Sequence, residues 1–308
     1  MLKKTLVGIL TLLMLFSNHM GAIASAETMN ETNDIITEFG DINVSGITEY
    51  IVEDSKVSAI PLPRATRNAL PVTDSFIPDN LDLEITPRVP IGRDDRIRVN
   101  NTTAFPNSAI GQVVTTWPNG TMTVGTAWMY GNRVAITAGH VVYDAIRGGW
   151  ARSVEFHPGR NGTSSPLGIY HATRMYTDTK YLATKDSNFD WGMLRFSTNV
   201  GARTGYLGAE WTSASQVNTH VTIRGYPVEK SSQMWTAGGN ITHSFATRTR
   251  YTIDTTGGQS GSPVYRGSTN RAVAIHSSGA SSNGVGLYNT GQRITESLFN
   301  IMTDARRW

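Results

Sequence analysis

The pattern of apolar and polar positions divides the chain into three stretches. Lys3 and Lys4 precede a largely apolar run from Thr5 to Phe16, and the small residues Ala24-Ser25-Ala26 follow. This is the layout of a secretory signal over residues 1–26 with a cleavage site at its end. The run is too short to span a bilayer, which takes roughly 20 apolar residues, and no later segment is apolar enough. A secreted, extracellular product without membrane attachment is therefore expected. Residues 27–88 show poor periodicity and are interrupted by Pro61, Pro63, Pro71, Pro78 and Pro87.

From residue 89 the texture changes. Short runs rich in Val, Ile, Thr and aromatic residues alternate with Gly, Asn, Ser and Pro, which predicts an all-β body. Gln112–Trp117 and Thr121–Tyr130 flank Pro118-Asn119-Gly120, a hairpin signal. Arg133–Ala138, Ser153–Phe156, Ile169–Tyr176 and Trp191–Phe196 continue a first set of strands. The polar, glycine-containing stretch Ser197–Gly205 marks a boundary. Val221–Gly225, Phe245–Ile253, Ser262–Tyr265, Arg271–His276 and Val285–Tyr288 supply a second set. Only the end reads as helical: Ile294, Leu298 and Ile301 share one face, with Phe299 and Met302 beside it. The expected architecture is two β-units in sequence, with a C-terminal helix packed on the second.

Composition sharpens this picture in two places. The 308 residues include no cysteine, so the fold must hold without disulfides, and a thiol nucleophile and cysteine metal sites are excluded. The net charge of +3 hides an asymmetry. Residues 27–88 carry 12 Asp or Glu against 4 Lys or Arg, a net −8, whereas residues 89–308 carry 12 against 21, a net +9. An acidic leader on a basic body suggests an intramolecular partner that covers a basic surface until removed; a plain acidic linker is the alternative. The basic residues are scattered and not interleaved with aromatics, so no nucleic-acid partner is expected.

Three residues carry candidate chemistry. Ser260 sits in Gly257-Gly258-Gln259-Ser260-Gly261-Ser262-Pro263. A serine hydroxyl attacks only when a base takes its proton, and the oxyanion formed must be held by N–H groups. The preceding glycines permit the backbone dihedrals that point such groups inward, so Gly258 and Ser260 are the expected oxyanion donors. His140, just past the strand Arg133–Ala138, is the candidate base, because the small Ala138-Gly139 before it lets another side chain approach the ring. Asp190 opens the apolar stretch Trp191–Phe196; a carboxylate there would orient the imidazole and stabilise its charged form. Asp178 and Asp186 compete for that role. The order His–Asp–Ser, two in the first β-unit and one in the second, puts the triad at their interface. The α/β-hydrolase elbow does not fit, since Ser262 stands where that motif needs glycine.

These residues resemble a known family. Ile136-Thr137-Ala138-Gly139-His140, Asp190-Trp191-Gly192 and Thr255-Thr256-Gly257-Gly258-Gln259-Ser260-Gly261-Ser262-Pro263-Val264 look like the glutamyl endopeptidases, the acid-specific bacterial branch of the chymotrypsin-like serine proteases. Val89-Pro90-Ile91-Gly92-Arg93-Asp94-Asp95-Arg96 looks like the start of their mature chains, and His157-Pro158-Gly159-Arg160-Asn161-Gly162-Thr163 and Gly225-Tyr226-Pro227 also match. The resemblance implies two six-stranded antiparallel β-barrels with the triad between them, and cleavage after Glu and more slowly after Asp. It implies a zymogen whose propeptide, residues 27–88, is removed at Arg88–Val89 to free a protease domain of residues 89–308. It further implies a substrate pocket containing His276, on the strand after the serine, and Thr255, five residues before it.

Some consequences follow for specificity and activation. A pocket for glutamate must stabilise a desolvated carboxylate, and a free α-amino group at Val89, with an ordinary pKa of about 7.7–8.0, would supply positive charge. Gln259 stands where many related zymogens carry the aspartate that pairs with the new N-terminus, so that pairing cannot form here. A strictly Glu-specific enzyme cannot cut after Arg88, so a second, activating protease is expected. Substrates with acidic residues, a monomeric state and no cofactor or metal complete the expectation. Asp254, six residues before Ser260, leaves open a Lys/Arg-specific protease on the same fold. A catalytically dead binding module is the other alternative.

Overall fold

The computed structural model describes residues 46–53, 55–60, 72–74, 94–282 and 285–308. The predicted signal peptide, most of the predicted propeptide, the Arg88–Val89 junction and Val89 itself lie outside the described residues.

Two antiparallel barrels make up the body. In the first, Ser153–Pro158, Ile110–Thr116, Met122–Met129, Val134–Thr137, Gly192–Arg195 and Arg174–Asp178 pair in that order. The ring closes through one bent segment: Tyr170–His171 pairs with Ser153–Pro158, and the same chain then joins Gly192–Arg195. At the bend, Ala172 N–H donates to Val154 O at 2.9 Å and Thr173 N–H to Arg195 O at 2.8 Å. The hairpin signal is fulfilled: Thr116 pairs with Met122, and Gly120 takes the left-handed φ of +83° that the turn needs.

In the second barrel the order is Pro263–Arg266, His220–Gly225, Trp235–Ser244, Arg248–Tyr251, Val285–Arg293 and Arg271–Ser282, and the last strand pairs back with the first. Its interior is filled by Val221, Ile223, Ile241, Tyr251, Ile253, Val264 and Val273, all buried. The long strand Trp235–Ser244 was absent from the sequence-based expectation, because Gly238-Gly239 and a polar second half break its alternation. The boundary region 197–205 is not a plain linker, since Val200–Thr204 forms a short helix. Further short helices span Gly139–Val142 and Thr179–Thr184.

The C-terminal helix spans Glu296–Ala305 and is N-capped by Thr295, whose hydroxyl accepts the Leu298 N–H. It buries Leu298, Phe299, Ile301 and Met302. The expected packing on the second barrel needs correction at its end: Trp308 packs on Tyr176 with ring centroids 4.9 Å apart, and Arg306 lies over Tyr130, both in the first barrel. None of the described helices is long and apolar enough to cross a membrane.

The acidic leader contributes ordered strands that its poor periodicity did not announce. Ile47–Ile51 and Lys56–Ile60 form a hairpin whose first strand pairs with the barrel strand Arg174–Asp178. Glu49, 7% exposed, accepts hydrogen bonds from Arg174 Nη1 at 2.9 Å and Tyr176 Oη at 2.8 Å. Tyr50 stacks on Trp150, 5.5 Å between centroids. Further on, Val72–Thr73 pairs with Gly208–Glu210, and Asp74 forms an ion pair with Arg271. Pairing against an available strand edge supplies the partner that local sequence lacks.

Candidate active site

The strand Val134–Thr137 pairs with Gly192–Arg195 so that Thr137 faces Gly192. The chain then turns at Ala138 into the helix Gly139–Val142. This register sets Asp190, two residues before Gly192, beside His140. Asp190 Oδ1 accepts the His140 backbone N–H at 2.9 Å, and its Oδ2 lies 2.9 Å from His140 Nδ1. Space for this approach comes from Gly139, where a Cβ would stand 3.1 Å from Asp190 Oδ1. Asp178 and Asp186 do not compete: they cap the short helices after them by accepting the N–H groups of Lys180 and Asn188.

Electrostatics follow from this contact. Asp190 is 4% exposed, and burial pushes its pKa up. The charge and hydrogen bonds of His140, with a bond from Ser277, outweigh burial and hold it at about 2. For His140 burial favours the neutral ring, but the Asp190 charge wins and raises its pKa above the ordinary 6.5.

Ser260 lies on the loop that enters the strand Pro263–Arg266. Its carbonyl accepts the Thr126 N–H at 2.8 Å, and the next residue's N–H donates to His276 O at 2.7 Å. Gly261, at φ +88°, leaves no room for a side chain: a Cβ there would lie 3.0 Å from Ala138 N, at the root of the His140 helix. The loop is thereby pressed against the first barrel. Ser277, absent from the sequence-based site, joins the parts: its Oγ donates to Asp190 Oδ2 at 2.5 Å, and its carbonyl accepts the Ser260 hydroxyl at 3.3 Å. The Ser260 hydroxyl therefore points at Ser277 O in this state, and it would have to swing toward His140 to serve as a nucleophile. Such contacts commonly tighten only with substrate bound. Gly258 adopts φ +93°, and its carbonyl is held by Thr126 Oγ1 at 2.9 Å. The N–H groups of Gly258 and Ser260 make no backbone hydrogen bond among the described residues.

His276 sits inside the second barrel, 3% exposed, opposite Gly291. Its Nδ1 lies 2.7 Å from Tyr251 Oη. Burial keeps the phenol protonated, its pKa well above 10. Burial first, and then the His140 charge, push the His276 pKa down to about 3, so the ring is neutral at working pH. A buried phenol O–H needs an acceptor, and Nδ1 is the acceptor within hydrogen-bond reach; the His276 proton then resides on Nε2. Thr255 is half-buried on the loop before Gly257. Asp254 does not stand free for a basic substrate: its Oδ2 accepts the Asp95 N–H at 3.2 Å. Burial and then the nearby Asp254 carboxylate raise the pKa of Asp95. Among the described residues no group of three or more His, Asp or Glu is arranged to hold a metal ion.

Beside the exposed Ser278 and Gly279 a cavity of about 460 Å³ opens, lined by Arg248, Arg250, Asn188 and Tyr288. Arg248 donates to Ser187 O at 2.5 Å, and Arg250 lies over the Tyr288 ring, 4.3 Å away. Neither forms an ion pair with a carboxylate among the described residues.

Two barrels and this inter-barrel site define a trypsin-like serine endopeptidase. Residues 125–275 match the family model described as a trypsin-like peptidase domain. The glutamyl endopeptidase of Bacillus licheniformis is 38% identical over 224 residues, which cover 70% of this chain and 68% of that protein. A Bacillus subtilis protein named extracellular metalloprotease is 38% identical over 216 residues, covering 68% and 67%. The solved structure of a Glu endopeptidase in complex with MPD superposes with a TM-score of 0.63 at 27% identity, covering 71% of this chain and all of that one. The chain belongs to the glutamyl endopeptidase family.

Proposed function

We propose that this protein is a secreted endopeptidase that cuts peptide bonds after Glu, and more slowly after Asp, with Ser260 as nucleophile, His140 as general base and Asp190 as its orienting carboxylate. The observation that carries the reading is the continuous hydrogen-bonded link from His140 through Asp190 and Ser277 to Ser260. On this reading His140 takes the Ser260 proton as Oγ attacks the scissile carbonyl, and Asp190 stabilises the imidazolium so formed. The developing oxyanion is received by the N–H groups of Gly258 and Ser260. The imidazolium returns its proton to the leaving amine, and water then hydrolyses the acyl-enzyme by the same route.

The pocket for Glu is formed by His276 and Thr255, completed by the amine of Val89. The Tyr251 contact supports this, because it leaves an Nε2–H donor on a neutral ring, which a carboxylate can accept without requiring a buried cation. Peptides with acidic residues are the preferred partners. Arg248 and Arg250 beside the exposed strand residues favour them further, since a cleft of one sign raises the local concentration of the opposite one. Residues 1–26 act as signal peptide and 27–88 as propeptide. A separate protease releases the mature 89–308 domain at Arg88–Val89.

The test is digestion of defined peptides by the processed enzyme and by its Ser260→Ala variant. Cleavage after Glu that disappears in the variant is expected. Undiminished cleavage by the variant would overturn the assignment of the nucleophile. A second preparation with one extra residue ahead of Val89 should lose most activity on Glu peptides; full activity would remove Val89 from the pocket.

A further inference from the structure

The loop that carries the proposed oxyanion donors contains Gly257 and Gly258, so it has little stiffness of its own. Oxyanion stabilisation depends on donors held in place before the charge develops. Something must therefore hold residues 256–259, and the neutral Gln259 cannot be held by pairing with an N-terminal amine.

The structure provides a tether from elsewhere in the chain. Arg96 lies seven residues past Val89 in sequence and is only 9% exposed. Its Nη1 donates to Thr256 Oγ1 at 2.8 Å and to Gln259 Oε1 at 3.2 Å. Its remaining donors reach Asp94 Oδ1 and Oδ2 at 2.8 and 2.9 Å and Glu229 Oε1 at 2.8 Å, two carboxylates that more than offset its charge. Gln259 is 1% exposed, and its Oε1 also accepts the Thr256 N–H at 2.9 Å. The Thr256 hydroxyl donates to Glu229 Oε2 at 2.7 Å, and Gly257 O accepts the Val228 N–H at 2.7 Å. One guanidinium thus ties the loop at both ends to the short 3-10 helix Val228–Lys230, and Gly258 and Ser260 flank the tethered glutamine.

We propose that Arg96 is a positioning residue for the oxyanion site, holding the 256–259 loop through Gln259 and Thr256 so that the N–H groups of Gly258 and Ser260 stay aimed at the reacting carbonyl. This rests on the reading of Ser260 as the nucleophile. The planar fork of arginine reaches several acceptors at once, which a lysine cannot do, so the variants Arg96→Gln and Arg96→Lys probe the same device to different depths.

The experiment compares the processed wild type with both variants on a Glu-containing amide substrate, with active sites titrated. It adds two inhibitors: a peptide ending in glutamyl aldehyde, whose hemiacetal oxyanion needs the hole, and a reduced-bond analogue with CH2–NH at the scissile position, which does not. Arg96→Gln is expected to lower kcat by about tenfold or more, short of the 10²–10³ seen when a donor is deleted, with KM within about threefold. Aldehyde affinity falls in parallel, affinity for the reduced-bond analogue holds, and Arg96→Lys recovers part of the loss. Wild-type kcat per active site in Arg96→Gln, or an equal loss of affinity for both inhibitors, would overturn the proposal. If Arg96→Gln does not fold, Gln259→Leu tests the same tether while leaving Arg96 with Asp94 and Glu229. It should show the same loss confined to kcat, and a wild-type kcat overturns the proposal. Failure of the wild type to cut after Glu would instead defeat the reading on which it rests.

Discussion

Replacing Tyr251 by Phe removes a single hydroxyl from a fully enclosed site. In the wild type that hydroxyl meets His276 Nδ1 at 2.7 Å, and both residues are buried. Burial holds the imidazole neutral, with a pKa of about 3, so the variant gains no compensating charge. The loss leaves a buried ring nitrogen unpaired, which costs about 1–3 kcal/mol of stability. It also releases the tautomer. With Tyr251 donating, the proton stays on Nε2; without it, the Nδ1–H form competes and, in the proposed pocket, turns a lone pair toward the substrate carboxylate. If about 1–2 kcal/mol of the discrimination is lost, the preference for a Glu peptide over its Gln counterpart falls roughly 5- to 30-fold. The assay is kcat/KM on a matched Glu/Gln peptide pair at neutral pH, alongside thermal melting. A lower Tm with an unchanged Glu/Gln ratio would refute the reasoning and leave Tyr251 with a packing role only.

Other expectations concern the triad and the leader. Asp190→Asn offers one acceptor oxygen where the carboxylate uses two, Oδ1 for the His140 backbone N–H and Oδ2 for the His140 ring and Ser277, and kcat should fall about 10⁴-fold while the variant still folds by circular dichroism. Because His140 must be neutral to act as base, kcat/KM should fall as pH drops through its raised pKa, above 6.5, with no second transition near neutrality from His276. Stability runs the other way. The His140 contribution is present below the unfolded value near 6.5 and disappears as pH rises through the folded pKa, whereas that of Asp190, depressed to about 2, persists above 3.8 and is lost as pH falls through 2. Opposite slopes in rate and melting temperature across this window would be measured together. Glu49→Ala in the precursor leaves Tyr176 Oη without its carboxylate and should weaken docking of the leader hairpin by roughly 1–3 kcal/mol. Faster amide exchange at Ile47–Ile51 is the readout, and unchanged protection contradicts it.

The parts of the site that depend on local backbone chemistry were legible in the sequence. Gly139, where an added Cβ would stand 3.1 Å from Asp190 Oδ1, and Gly258, at φ +93° in the loop before Ser260, both stand close to the residue they serve. The His–Asp–Ser order carried the placement of these residues between two β-units. What stayed hidden depends on contacts across long sequence separations. Ser277 meets Asp190 across 87 residues, Tyr251 meets His276 across 25, and Arg96 meets Gln259 across 163. A lone serine, tyrosine or arginine on a strand or turn carries no spacing signal for such partners. The strand Trp235–Ser244 was missed for a related reason: its glycines are tolerated because the neighbouring strand His220–Gly225 pairs with both of them, so its alternation is not its own. The leader hairpin likewise exists because the strand Arg174–Asp178 offers an edge.

The most direct measurement is cleavage of a diverse peptide library by the processed Val89–Trp308 enzyme, with every new terminus read by mass spectrometry. Cuts concentrated after Glu, weaker after Asp and absent with Ser260→Ala, are the predicted result. Cuts after Lys or Arg, or cuts that persist in the variant, would contradict the account.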